Sequence, residues 1–179
     1  RTASIKFYDN GSSVGGFIDY LHNGDKMNFG SGSGSTITMT VGDTKVGIGT
    51  DAPLTKLNIH ETASGAAGVD FPITLSSDRY QADYGIGIAF RPETIAGGYK
   101  TKTAIIASGG GYGYNQADLH FCIDSDNTVG NEVGLSDAVM TLKKGGKVGI
   151  GDTTPSYALD VTGDIRATAD VIAYSDARV

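Results

Sequence analysis

The chain has 179 residues, with 27 Gly, four Pro, no Trp and a formal net charge of −6. So much glycine and so few long apolar runs argue against a helical protein, and scattered acidic and basic residues without a basic stripe argue against nucleic acid as a partner. One cysteine, Cys122, excludes an internal disulfide and any cysteine-based zinc site. No stretch of about eighteen apolar residues exists to span a membrane, and the first residues lack the basic head and apolar run of a signal peptide.

Taken in order, residues 5–8 alternate like a strand, and Asp9-Asn10-Gly11 reads as a turn. Phe17 to Leu21 and Lys26 to Phe29 are two further strands. The Asn23-Gly24 pair between them predicts a tight type I′ hairpin, because both central residues of that turn need positive φ. Gly30 to Ser35 is a glycine/serine loop. Ile37 to Val41 and Lys45 to Gly49 form the next hairpin, so residues 1–59 read as a small β module. Residues 60–68 form a linker or a loose helical turn. In a larger module, residues 60–151, strands are expected at Pro72–Leu75, Tyr84–Phe90, Lys102–Ser108, Leu119–Asp124, Ala138–Leu142 and Lys147–Gly151. Residues 152–179 are expected to form a C-terminal stem. Ile165, Ala167, Ala169, Val171 and Ala173 alternate there on one face, too small to bury much surface except against copies of itself.

The chain is organised around a repeat. Lys45-Val46-Gly47-Ile48-Gly49, with Pro53, Leu57 and Ile59, recurs at an offset of 102 as Lys147-Val148-Gly149-Ile150-Gly151 with Pro155, Leu159 and Val161. The unit reads as strand, turn, Gly-rich strand, Pro corner, strand. Glycines weaken a strand unless something approaches closely, so the Gly faces predict a second backbone lying against them. That backbone is either a neighbouring sheet or the equivalent strand of a partner chain. A phosphate-cradling loop is disfavoured, because neither copy has the Gly spacing, the Lys-Ser/Thr ending or a following helix.

This repeated unit resembles one that recurs in phage tail-fibre and tailspike proteins. The ending Gly163-Asp164-Ile165 through Tyr174-Ser175-Asp176-Ala177-Arg178 is similar to the junction before the intramolecular chaperone of endosialidase-type fibres. The resemblance covers both repeats and the last twenty or so residues, not residues 60–138. It implies an all-β, elongated, intertwined homotrimer of short-stranded modules in the virion, as part of the tail fibre. It also implies autocleavage between Ser175 and Asp176 in a full-length precursor. The motif's Lys would fall one place beyond Val179, so this chain is not expected to cleave itself.

The best binding candidate is the tyrosine-bearing loop with Tyr112, Tyr114 and Asn115, together with Tyr99. Rigid amphipathic rings stack on sugars at low entropic cost. The expected partners are two further copies of the chain and a host surface polysaccharide or outer-membrane protein. The alternatives are a shaft segment without receptor contact, or a polysaccharide depolymerase. No nucleophile–base set is visible around His22, His60 or His120. Asp70, Asp78, Asp83, Glu93, Asp118 and Asp124 could converge for hydrolysis, but scattered Asp in β-loops is usually turn chemistry. Asp124-Ser125-Asp126-Asn127 opens like a calcium loop, but Val129 and Leu135 stand where Gly and Glu are needed, so a turn is expected. No enzyme activity, cofactor or metal is therefore expected.

Overall fold

A computed structural model describes residues 1–8, 14–31, 36–61, 71–77, 84–91, 100–109, 116–126 and 131–169. It divides into two compact units, Arg1–Thr74 and Leu75–Val179. Each is one six-stranded sheet, and the all-β class stands.

The first sheet contains β1 (Thr2–Tyr8), β2 (Val14–Leu21), β3 (Lys26–Ser31), β4 (Ile37–Val41), β5 (Val46–Ile48) and β6 (Leu57–Ile59). The second contains β7 (Tyr84–Phe90), β8 (Thr103–Gly109), β9 (Ala117–Ile123), β10 (Ala138–Leu142), β11 (Val148–Ile150) and β12 (Leu159–Val161), with a 3-10 turn at Leu135–Asp137. In both sheets the strands lie in sequence order. Every neighbouring pair is antiparallel except the last, β5–β6 and β11–β12, which are parallel. Pro72–Leu75, expected as a strand start, is exposed and forms no strand. Residues 163–169 of the expected stem form none either, and residues 170–179 lie outside the described residues.

The two repeats share the backbone hydrogen bonds that set the Gly-rich strand and its Pro corner. Val46 N–H donates to Lys56 O and Val148 N–H to Ala158 O; Gly49 N–H donates to Thr38 O and Gly151 N–H to Val139 O. The Pro corner is capped from inside the next strand. Asn58 Oδ1 accepts from Leu54 N–H at 3.1 Å, and Asp160 Oδ2 accepts from Ser156 N–H at 3.0 Å. A short polar side chain flanked by two apolar ones can reach back this way, because it points to the face opposite theirs.

A second backbone does lie against the repeat's glycines, and it belongs to the same chain. A Cβ at Gly47 would run into the Thr50 carbonyl, and one at Gly149 into the Asp152 carbonyl, because the Pro corner folds back over the strand it has just left. Gly49 and Gly151 turn the corner at φ +71° and +66°, where a side chain is strained. The glycine face therefore needs no partner chain. At His22–Asp25 the hairpin forms, but positive φ falls on Gly24 and Asp25 rather than on Asn23 and Gly24. The loop is a four-residue turn closed by Tyr20 Oη donating to Asp25 Oδ1 at 2.7 Å, not the two-residue type I′ turn that the Asn-Gly pair suggests.

Candidate functional site

Strand alternation and register sort the side chains of each sheet into two faces of opposite character. On the second sheet one face carries Ile86, Ile88 and Phe90 of β7, Ile105 of β8, and Leu119, Phe121 and Ile123 of β9. It continues through Met140, Leu142, Val148 and Ile150 to Leu159 and Val161. On the first sheet the matching face carries Ile5, Phe7, Ile18, Phe29, Met39, Val46, Ile48, Leu57 and Ile59. No charged side chain stands at any register position of either apolar face. None of these residues is buried, and Ile5, Phe7, Ile88, Phe90, Ile123 and Leu159 are each at least half exposed.

The opposite face is the buried one, and it mixes polar side chains with a few apolar ones, Phe17 on the first sheet and Ala104, Ile106 and Cys122 on the second. The buried residues of β9 alternate as Asp118, His120 and Cys122 between exposed Leu119, Phe121 and Ile123. Thr40 and Thr141 are wholly buried at equivalent places in the two repeats. Thr40 Oγ1 donates to Asn28 Oδ1 at 2.9 Å. In the second sheet Thr141 Oγ1 lies 3.0 Å from His120 Nδ1, and His120 Nε2 lies 2.8 Å from Ser108 Oγ. His120 thus points away from its apolar neighbours, as its alternation with them requires. The buried Cys122 thiol is pushed up by burial, with Asp137 adding to it, which suits a packed strand residue rather than a nucleophile.

The tyrosine candidates Tyr99, Tyr112 and Tyr114, with Asn115, lie outside the described residues, as do Ser175 and Asp176 of the junction. The strand ends that carry the tyrosine connections are placed. The 110–115 connection leaves β8 at Gly109 and returns at Gln116, where Lys144 Nζ donates to Gln116 Oε1 at 3.1 Å. The connection with Tyr99 attaches at the other end of β8, where Phe90 pairs with Thr103, about 20 Å away at strand spacing.

Beside Gln116, buried Asp118 accepts from Lys143 Nζ at 2.6 Å and from Lys144 N–H at 2.8 Å. Burial pushes its carboxyl up, but Lys143 and the Lys144 amide outweigh that and hold it below the usual carboxylate value. The folded form therefore gains stability from ionised Asp118 that is present at neutral pH and lost as pH falls through the lowered value. Lys143→Ala leaves this carboxylate buried with one partner gone. We expect a loss of about 1–3 kcal/mol in urea unfolding at pH 7 that shrinks in acid, where the carboxylate is protonated.

At the far end of β9, Asp124 Oδ2 accepts from Lys102 Nζ at 2.6 Å, and its Oδ1 accepts from Asp126 N–H at 2.8 Å. The second bond is the side-chain-to-backbone contact of an Asx turn, and Asn127 of the expected turn lies outside the described residues. Lys102 holds the Asp124 carboxyl down. The two described carboxylates of the hydrolysis set thus sit at opposite ends of one strand, each tied to a lysine, and do not converge. Asp70, Asp78, Asp83 and Glu93 lie outside the described residues. Among the described residues no group of three or more His, Cys, Asp or Glu is placed to hold a metal ion, and no helix is long and apolar enough to cross a membrane.

No family model matches this chain, and no curated protein matches it in sequence.

Proposed function

We propose that this chain is the distal segment of a homotrimeric phage tail fibre that binds a host surface receptor, a glycan by preference, during adsorption. The observation that carries this reading is the open apolar face repeated on both sheets. Monomers in water rarely expose large contiguous apolar patches, and a face without charge is best matched by another of the same kind. Three copies that share these faces around an axis would supply the large apolar core that neither sheet contains. A membrane is a poor occupant: β5, β6, β11 and β12 are three residues long, whereas a membrane-spanning strand needs about 9–11. The repeated Lys-Val-Gly-Ile-Gly unit and the ending around Ser175 and Asp176, which resemble fibre sequences, give the assembly its context. In that context a C-terminal chaperone is removed at this junction and the segment lies near the fibre's free end.

The chain is expected to elute as a trimer in native buffer and to resist mild detergent; a monomeric profile contradicts the reading. Receptor binding is tested with glycan arrays and host-cell adsorption. Tyr112→Ala/Tyr114→Ala in the intact trimer should reduce binding at least about tenfold, the loss of about 1.4 kcal/mol that aromatic contacts of this kind supply. Unchanged adsorption by phage carrying both substitutions favours a shaft role for the segment. Release of reducing ends from host polysaccharide would move it to the depolymerases.

A further inference from the structure

The repeat places a titratable group in the buried polar layer of one sheet and not at the matching place in the other. Thr40 faces Asn28 across β4 and β3, and Thr141 faces His120 across β10 and β9. Both threonines are 0% exposed. The Asn28 amide, which accepts from Thr40, does not change charge with pH. The first sheet's row also carries a carboxylate, Asp19, but no histidine, and His22 and His60 of that unit are exposed. We propose that His120 is an acid-sensitive latch that loosens the second sheet, and not the first, as pH falls below neutrality.

The geometry supplies the reason. Neutral imidazole offers one donor and one acceptor, and the hydroxyls of Ser108 and Thr141 complement both. Protonation turns the accepting nitrogen into a donor. The hydroxyl opposite it must then rotate to accept, and its own proton needs a new partner inside a layer closed to water. The added charge is only 6% exposed.

Charged groups on the surrounding elements do little to stabilise it. On the same face of β9, Asp118 attracts the imidazolium, but Asp118 is already paired with Lys143 of the following turn, which repels it. On the covering 3-10 turn, the Asp137 carboxylate is engaged by Gly134 N–H at 2.8 Å. On β12, Asp160 is engaged by Ser156 N–H. β7 and β8 present Gly87, Ile106 and Ser108, none of them charged; Glu132, of the segment before the 3-10 turn, lines the same hollow as Gly87 and Ile106, and Cys122, on the buried face of β9, stays a neutral thiol because burial pushes it up. Burial therefore dominates and lowers His120 below its ordinary 6.5, Asp118 pulling the other way and Lys143 adding to the fall.

In the window between 6.5 and the lowered folded value the unfolded chain binds the proton and the folded chain does not. Stability of the second sheet accordingly drops as pH falls through that window. The 110–115 connection attaches to this sheet, so acid would loosen the mount of the tyrosine loop while the first sheet stays closed.

Hydrogen exchange by mass spectrometry on the full chain, at pH 7 and about pH 5.5 and corrected for intrinsic exchange, tests the proposal. Amides of β8–β10 should lose protection several-fold relative to those of β2–β4. His120→Asn, which copies the side chain at Asn28, should abolish that difference. NMR titration of the His120 ring in the unsubstituted chain gives an independent reading, with a midpoint below 6.5 expected. A midpoint at or above that value, equal loss in both sheets, or the same loss in His120→Asn overturns the proposal.

Discussion

Phe121→Asp is expected to convert the proposed trimer to monomers. Phe121 sits in mid-strand on β9 and pairs across the apolar face with Ile105 and Met140. In a single chain its side chain is 37% exposed, so a carboxylate there would be solvated and cost little. When the face is shared between copies, the same change buries three carboxylates together near one axis. Each costs several kcal/mol to desolvate, and they repel one another. Sedimentation equilibrium should then show a monomer at concentrations where the unsubstituted chain is expected to be a trimer. Far-UV circular dichroism establishes whether the sheets survive dissociation. A Phe121→Asp chain that remains trimeric would exclude this face as the contact between copies.

Gly149→Ala should destabilise the second sheet by about 1–3 kcal/mol or more, read as a lower urea midpoint with unchanged slope. The new methyl would meet the Asp152 carbonyl, and Pro155 Cδ stands 3.4 Å from the same position. The corner cannot yield cheaply. Asp152 Oδ1 holds Thr154 N–H at 2.7 Å, and Asp160 holds Ser156 N–H at 3.0 Å. Gly47→Ala should behave alike in the first sheet, where the Thr50 carbonyl takes the same place. Gly145→Ala is the control: nothing lies within 4 Å of its added carbon, and the change should stay within about 0.5 kcal/mol. Equal effects of Gly149→Ala and Gly145→Ala would mean that the repeat's glycine is not demanded by the corner.

Strand positions could be read from the sequence because the side-chain period of 2 is a local property. The alternations at Tyr84–Phe90 and Leu119–Ile123, and the hairpins entering both Gly-rich strands, all appear in the structure. Local signals misled where several conformations meet the same residue preferences. Asn23-Gly24 suits a type I′ turn, yet Asp25, held by Tyr20, takes the left-handed conformation instead. Pro72–Leu75 reads as a strand start, but pairing needs a neighbouring edge and the segment forms no strand.

The polar layer is the clearest case of a site that one sequence hides. Ser108, His120 and Thr141 lie on three strands with no shared motif. The only available signal was that each alternates with apolar neighbours and so points to the same side. The tyrosine candidates and the cleavage junction stand on the resemblance and on residue chemistry alone, since they lie outside the described residues.

By itself the sequence determined that the chain is all-β, that it carries one unit twice, and that glycine in that unit must meet a backbone. These follow from residue periodicity and from the steric rules of single residues. Only the tertiary structure decided which backbone the glycines meet, that the closing strand of each repeat runs parallel, and that the polar face is the one buried within the chain. Each of these depends on how far apart in sequence two contacting segments lie, and side-chain alternation holds no information about that separation.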